Sequence, residues 1–244
     1  MKKTFLVILC AVTVVCIVLG SCIHFGVFGK TVKKGEGSYE QILNESFSTL
    51  ETDLSVGNIT VKKGNTAVLS VECSDSRFTP EYSLSGGMLR ITQPKVRQTF
   101  PSTGVKCNVE VTVPYELVKI KVFSDVGNCK VEEISALEFS VSSDVGNCTV
   151  EDSKATKLTV ESDTGNVKIY NTLFDTCDAK SDVGNVTIEL PSEEKAEDYT
   201  VTLLTDVGNV RAFGSSYKRN FSQGAVSGSK RIHAESDVGN VRLD

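Results

Sequence analysis

Ser124-Asp125-Val126-Gly127-Asn128 returns at 19-residue intervals as Ser143-Asp144-Val145-Gly146-Asn147, Ser162-Asp163-Thr164-Gly165-Asn166 and Ser181-Asp182-Val183-Gly184-Asn185. Two further copies, Asp206-Val207-Gly208-Asn209 and Asp237-Val238-Gly239-Asn240, come after gaps of 24 and 31 residues. A worn copy, Ser55-Val56-Gly57-Asn58, stands early in the chain. A fixed short period marks a stacked repeat, in which each unit buries its apolar face only against its neighbours.

Aligned on the aspartate, the residues five and three places before it are Ile120 and Val122, Phe139 and Val141, Leu158 and Val160, Cys177 and Ala179, Val201 and Leu203, Ile232 and Ala234. Four and six places after it stand Cys129 and Val131, Cys148 and Val150, Val167 and Ile169, Val186 and Ile188, Val210 and Ala212, Val241 and Leu243. Both sets alternate as strands with one buried face. Between them Asp comes first, a β-branched residue second and Gly third, which fits a type II turn, whose third position takes φ > 0. Such a turn splays its flanking strands instead of closing a hairpin. The two strands therefore enter different sheets, and each pairs with its counterpart one repeat on. The predicted fold is all-β: a β-solenoid, parallel β-helix-like, of short two-strand coils stacked ~4.8 Å apart.

The structural turns are then Asp125, Gly127 and Asn128, Asp144, Gly146 and Asn147, Asp163, Gly165 and Asn166, Asp182, Gly184 and Asn185, Asp206, Gly208 and Asn209, and Asp237, Gly239 and Asn240. Their aspartates form one column of the stack and their asparagines another. Each Asp is expected to cap its own turn by accepting backbone N–H groups, and the asparagines to bond along the stack as an amide ladder. Calcium-binding repeats place several oxygen ligands and extra glycines in each turn, a pattern absent here. No metal or cofactor is expected.

The chain begins with Lys2 and Lys3, followed by an uncharged stretch from Thr4 to Gly29 rich in Leu, Val, Ile, Phe and Cys. It has the ~20 apolar residues that a membrane-anchoring helix needs. A second reading competes. Leu19-Gly20-Ser21-Cys22 resembles the lipobox of bacterial lipoproteins, with Phe5 to Val18 as the apolar part of a signal peptide and Cys22 as the lipidated residue. Against it, Ile23, Phe25, Val27 and Phe28 continue the apolar run. Either way the body lies outside the membrane, single-pass or lipid-anchored, because nothing after the stretch is apolar enough to cross. The expected organisation is anchor or signal plus linker at 1–34, irregular β coils at 35–118, and the repeat solenoid at 119–244, continuous with them as one domain.

Five of the 26 basic residues lie in residues 1–34 beside no acids, leaving 21 basic against 31 acidic groups in the remainder, a net of −10. An acidic body speaks against nucleic acid or anionic lipid as partner. Phe47, Leu50, Ile59 and Val61 straddle the worn turn, and Gly86-Gly87 joins Tyr82 and Leu84 to Met88, Leu89 and Ile91 as a hairpin. Cys107 to Val113 alternates and stops at Pro114.

Of eight cysteines, Cys10, Cys16 and Cys22 lie in the apolar stretch and five in the body. Cys129 and Cys148 fill a slot held elsewhere by Ile59, Val167, Val186, Val210 and Val241, and Cys177 fills one held by Phe139 and Leu158. They read as small core hydrophobes. Cys129 and Cys148 stand in adjacent coils near the separation a disulfide permits, though side chains in register seldom meet its torsion. With no Cys-x-x-Cys pair and two histidines, a zinc site is not expected. No Gly-x-Ser-x-Gly elbow, phosphate-binding glycine loop or His-Glu-x-x-His is present, so the chain reads as non-enzymatic. A remote alternative, a β-helix polysaccharide-processing enzyme, needs two acids ~5–10 Å apart on one groove.

Taken together, the lipobox-like or membrane-spanning start, the segment Val109-Glu110-Val111-Thr112-Val113-Pro114 leading into Ile120 to Asn128, and the recurrent Ser-Asp-Val-Gly-Asn turns resemble the bacterial cell-envelope putative adhesin family. The resemblance covers residues 40 to 244. It implies a membrane-tethered β-solenoid on the outer side of the envelope, linked in some members to adhesion or envelope-stress signalling, and no catalytic residues. The function expected is an adhesin-like binding module whose partner is an envelope protein or surface polymer. The alternative is an envelope-stress sensing or signalling component with a membrane partner.

The two irregular intervals point to a binding surface, since insertions between regular repeats must loop outward. The first adds five residues near Pro191 to Asp198 and is mostly acidic. The second adds twelve between Ala212 and Ile232 and brings Phe213, Tyr217 and Phe221 together with Lys218, Arg219, Lys230 and Arg231. Aromatic and basic groups on an acidic body suit contact with a partner, while Gly214, Ser215, Ser216, Gly224, Ser227 and Gly228 equally allow a flexible loop. The candidate binding loop is Phe213, Tyr217, Lys218, Arg219 and Phe221. Val241 and Leu243 complete the last repeat with nothing beyond Asp244 to cover them. An open edge, available for end-to-end self-association, is expected there.

Overall fold

The computed structural model describes residues 37–94, 104–225 and 229–244. The apolar stretch at 4–29, with Cys22, lies outside them. Among the described residues no helix is long and apolar enough to cross a membrane.

The N-terminal end comprises β1 (Gly37–Ile42), β2 (Thr49–Leu54), β3 (Asn58–Lys63), β4 (Val68–Cys73), β5 (Glu81–Ser85), β6 (Met88–Thr92) and β7 (Cys107–Val113). The regular repeats are four long–short pairs: β8 (Leu117–Val126) with β9 (Cys129–Glu132), β10 (Ser135–Val145) with β11 (Cys148–Glu151), β12 (Lys154–Thr164) with β13 (Val167–Tyr170), and β14 (Leu173–Val183) with β15 (Val186–Glu189). The C-terminal end is β16 (Tyr199–Val207), β17 (Val210–Ala212), β18 (Ser215–Tyr217), β19 (Asn220–Gln223), β20 (Lys230–Val238) and β21 (Val241–Leu243).

Each repeat sends its long strand into one sheet and its short strand into the other, as the splayed corner requires. The repeats pair in parallel and in register: Val141 stands between Val122 and Val160, and Val150 between Val131 and Ile169. The inward columns therefore stack like on like, and one core cluster of buried residues runs between the sheets from Leu43 to Leu243. Ile120, Val131, Phe139, Leu158 and Ile169 are wholly buried in it. Burial of such side chains contributes about 1.5–3 kcal/mol each, which is how a stack of short strands holds together.

The corner differs from a type II turn. Each long strand stays extended through its Asp-Val pair and the glycine turns the chain alone, at φ +157° in both Gly146 and Gly165. The backbone thereby remains in the ladder between coils: Gly146 N donates to Thr164 O at 2.9 Å and Cys148 N to Asn166 O at 3.0 Å. A side chain is also barred by space, since a Cβ on Gly146 would sit 2.0 Å from Gly127 O. The aspartates do not cap these corners. Among the described residues the carboxylates of Asp125, Asp144 and Asp163 accept no hydrogen bond, and the serine one place earlier instead ties its corner to that of the preceding coil. Ser143 Oγ donates to Gly127 O and Ser162 Oγ to Gly146 O, each at 2.8 Å, from buried positions. The asparagines do form their ladder. Asn166 Nδ2 donates to Asn147 Oδ1 at 3.0 Å, and the same oxygen accepts the Asn166 backbone N–H at 2.9 Å. The opposite corner of each coil uses one residue in the left-handed region, Glu133, Asp152 or Asn171, at φ between 44° and 56°.

The stacking order departs from chain order at both ends. The sheets run β1-β4-β7-β3-β9-β11-β13-β15-β21-β17-β18 and β19-β16-β20-β14-β12-β10-β8-β2-β6-β5. At the N-terminal end the coil β2–β3 lies against β8–β9, and β6 and β7 lie outside it. At the C-terminal end β20–β21 is inserted between β14–β15 and β16–β17. The expected open edge at Val241–Leu243 is thus not there: β21 pairs with β15 on one side and β17 on the other. The five extra residues after β15 let the chain skip one position, and the twelve after β17 bring it back to fill the gap. The outermost coil is instead covered by antiparallel strands, β18 on β17 and β19 on β16. The other end is closed in the same manner by β1 on β4, β4 on β7, and the β5–β6 hairpin. Short antiparallel strands blunt the exposed edges that a parallel stack leaves.

Candidate functional site

Aromatic and basic side chains gather where the second insertion covers the last coil. Ala212 ends β17, and Phe213 makes the corner at φ 48°, its N–H donating to Leu243 O at 2.9 Å. Gly214, at φ 79° with nothing within 4 Å of a would-be Cβ, then reverses the chain. β18 returns along one sheet, and β19 along the other. Tyr217 and Phe221 lie 4.8 Å apart between ring centroids, and Phe213 meets Phe221 edge-on at 6.2 Å. Phe221 is half-buried and packs against the main core, while Phe213 and Tyr217 remain 36% and 38% exposed. The three rings form a lid over the end of the core with two faces left to solvent. The segment is tied to the coil through its backbone, Thr205 N donating to Arg219 O at 2.8 Å. The side chains of Lys218 and Arg219 are exposed and have no partner among the described residues.

The structure thus brings Phe213, Tyr217, Lys218, Arg219 and Phe221 onto one segment that crosses from the first sheet to the second, and that segment is a structural cap. Lys230 is directed elsewhere. Its Nζ bonds Glu194 Oε2 at 2.5 Å and lies 5.3 Å from the Tyr199 ring centroid, and the Tyr199 hydroxyl donates to the same oxygen at 2.7 Å. Burial pulls the Glu194 carboxyl upward, but the bonds from Lys230 and Tyr199 prevail and lower its pKa below the ordinary value. Burial and the bond to Glu194 push the Tyr199 hydroxyl up. The acidic first insertion is therefore fastened to β20, next to the point where the chain re-enters the stack.

Among the described residues a disulfide stands at the opposite end. Cys73 and Cys107, facing each other across the antiparallel β4–β7 pair, are disulfide-bonded and buried. The sequence contained a usable signal: these are the two body cysteines that occupy no repeat slot. Cys129, Cys148 and Cys177 are free and buried, in the core slots the repeat assigns. The Cys148 thiol donates to Glu161 O at 3.1 Å, and its contact with Cys129 together with burial pushes it up, away from the reactive thiolate. Burial pushes Cys177 up as well. Among the described residues no group of three or more His, Cys, Asp or Glu is placed to hold a metal.

A parallel two-sheet solenoid, closed at both ends by antiparallel strands and bearing an aromatic–basic segment at one of them, is the class of molecule these observations define. The chain belongs to the Toastrack DUF4097 family, whose model matches residues 47–177, just over half of its length. No curated protein matches it. Among solved structures it is similar to a putative cell adhesion protein from Clostridium sporogenes, with 19% identity, a TM-score of 0.55, and coverage of 84% of this chain and 97% of that one. A putative adhesin from Bacteroides fragilis matches at 14% identity and a TM-score of 0.49, covering 87% and 100%.

Proposed function

We propose that the chain is a tethered, non-enzymatic binding module on the outer side of a cell envelope, working in the manner of an adhesin. The observation that carries this reading is the Cys73–Cys107 disulfide, because such bonds persist in oxidising compartments outside the cytosol and are rare within it. The apolar stretch at 4–29 supplies a tether on either of its readings, and the solved relative that shares the fold is described as a putative cell adhesion protein. The partner-facing surface is the segment that carries Phe213, Tyr217, Lys218 and Arg219. It offers two aromatic faces and two free cations on a body of net charge −10, a local field that favours acidic partners.

Intact cells treated with a membrane-impermeant amine-reactive biotin should label the protein. Labelling only after lysis contradicts the reading. The segment is tested by Lys218→Glu together with Arg219→Glu, which leaves the three rings in place and should reduce crosslinking to envelope partners without lowering the melting temperature.

A further inference from the structure

The outer face of the long-strand sheet carries a groove of about 720 Å³ lined by Glu51, Thr52, Asp53, Arg90, Thr92, Lys121, Phe123, Ser140, Ser142 and Glu161. It arises from a break in the outward columns. In register across the strands, one row reads Arg90, Glu51, Lys121, Ser140, and the next reads Thr92, Asp53, Phe123, Ser142, Glu161. Two serines follow a lysine and a phenylalanine, so the surface drops beside the Phe123 ring and rises again at Glu161. The trough crosses five strands, a length of about 20 Å at ~4.8 Å per strand.

Phe123 is the residue that folding does not explain. Its counterparts in the same outward column are Asp53, Ser142, Glu161, Lys180 and Glu235, so the position is a solvated one, yet here it holds a half-buried aromatic ring. Around that ring stand hydrogen-bonding groups of every kind. Arg90 is paired to Glu51 at 2.7 Å, whereas the side chains of Lys121, Ser140, Ser142, Asp53 and Glu161 make no hydrogen bond or ion pair among the described residues.

These features narrow the ligand. An extended peptide is captured at a sheet edge through main-chain bonds, but β2, β8, β10 and β12 each have neighbours on both sides and no free backbone edge. Recognition must come from side chains alone. Three carboxylates disfavour a polyanion. An aromatic face rimmed by carboxylates, an ammonium and hydroxyls matches a sugar, whose ring offers an apolar C–H face for stacking and hydroxyls at its edge that both donate and accept. One sugar residue of an extended chain is about as long as the strand spacing.

We infer that this groove is a binding site for a neutral, linear, β-linked polysaccharide, with Phe123 as the stacking platform. The inference rests on the chain being a binding module and names a ligand class for it. The test is calorimetric titration of the purified full-length chain with hexasaccharides of β-1,4-linked glucose, xylose and N-acetylglucosamine, run beside Phe123→Ala, Ser142→Trp and Lys168→Ala, an exposed position on the opposite sheet. At least one hexasaccharide should bind with a Kd below ~1 mM. Phe123→Ala should weaken it tenfold or more, and Ser142→Trp, which fills the trough, should do the same. Lys168→Ala should leave it unchanged. No binding to any of the three by a chain with native circular dichroism, or binding that Phe123→Ala and Ser142→Trp do not alter, overturns the inference. Surface labelling of intact cells is independent of that outcome, so failure here and failure of the envelope reading are separable.

Discussion

The middle of the molecule, residues 117–189, and its two ends obey different rules. In the middle each coil follows the last in chain order, and the corner and core contacts between coils are translations of the ones before: serine to glycine carbonyl, asparagine to asparagine, valine on valine. At the ends the order inverts, antiparallel strands replace parallel ones, and unique contacts take over. The disulfide and the β4–β7 pair serve one end; the Phe213–Tyr217–Phe221 lid and the Glu194–Lys230–Tyr199 cluster serve the other. A repeat can tile a core but cannot finish it.

The largest expected effect breaks the middle. Gly146→Ala forces a Cβ to within 2.0 Å of Gly127 O, backbone against backbone with no side chain able to yield. It should cost about 4 kcal/mol or more and is read by thermal melting. Gly214→Ala at the end also places a side chain at positive φ, but it meets nothing within 4 Å and should cost only about 1 kcal/mol. Equal losses would mean that strain, not the closeness of the coils, makes glycine necessary.

Next in size is the N-terminal end. Replacing Cys73 and Cys107 by serine opens a bridge with a sequence separation of 34, for which loop-closure entropy gives about 4 kcal/mol. Hydrogen exchange should show protection lost first in β4 and β7 and retained in β12. Uniform loss would show that the ends and the middle unfold as one unit. Phe221→Ala, at the other end, should cost about 2 kcal/mol through lost packing on the core, with β16 deprotected before β12.

The smallest effect concerns the aspartate column. Burial, and then repulsion from Asp144 and Asp53, raise the Asp125 pKa above 3.8. A raised carboxyl holds its proton more tightly folded than unfolded, so its contribution favours folding at low pH and is lost as pH rises through the folded value. Asp125→Asn should therefore stabilise by less than about 1 kcal/mol at pH 7, and the gain should vanish near about pH 3. A destabilising Asp125→Asn would restore the turn-capping role.

The middle was legible in the sequence because a local period carried it. Alternation assigned the inward residues, and the invariant glycine located the corner. What escaped were features that depend on a neighbour in space. The corner's geometry could not be had from residue order, because its glycine bonds to the next coil instead of to its own turn. Serine, or threonine at 205, precedes the aspartate in each repeat, yet its bond runs to a carbonyl one coil away. The aromatic residues of the second insertion are adjacent in sequence, but only the stacking order shows that they lie over the last coil. The insertion lengths marked where the order would change without revealing the direction of the change.

That inversion is the claim on which the closed C-terminal end depends, and solution NMR tests it most directly. The account predicts inter-strand backbone nuclear Overhauser contacts between Val186 and Val241 and between Val241 and Val210. A direct Val186–Val210 contact, with Val241 on an outer edge, would contradict it.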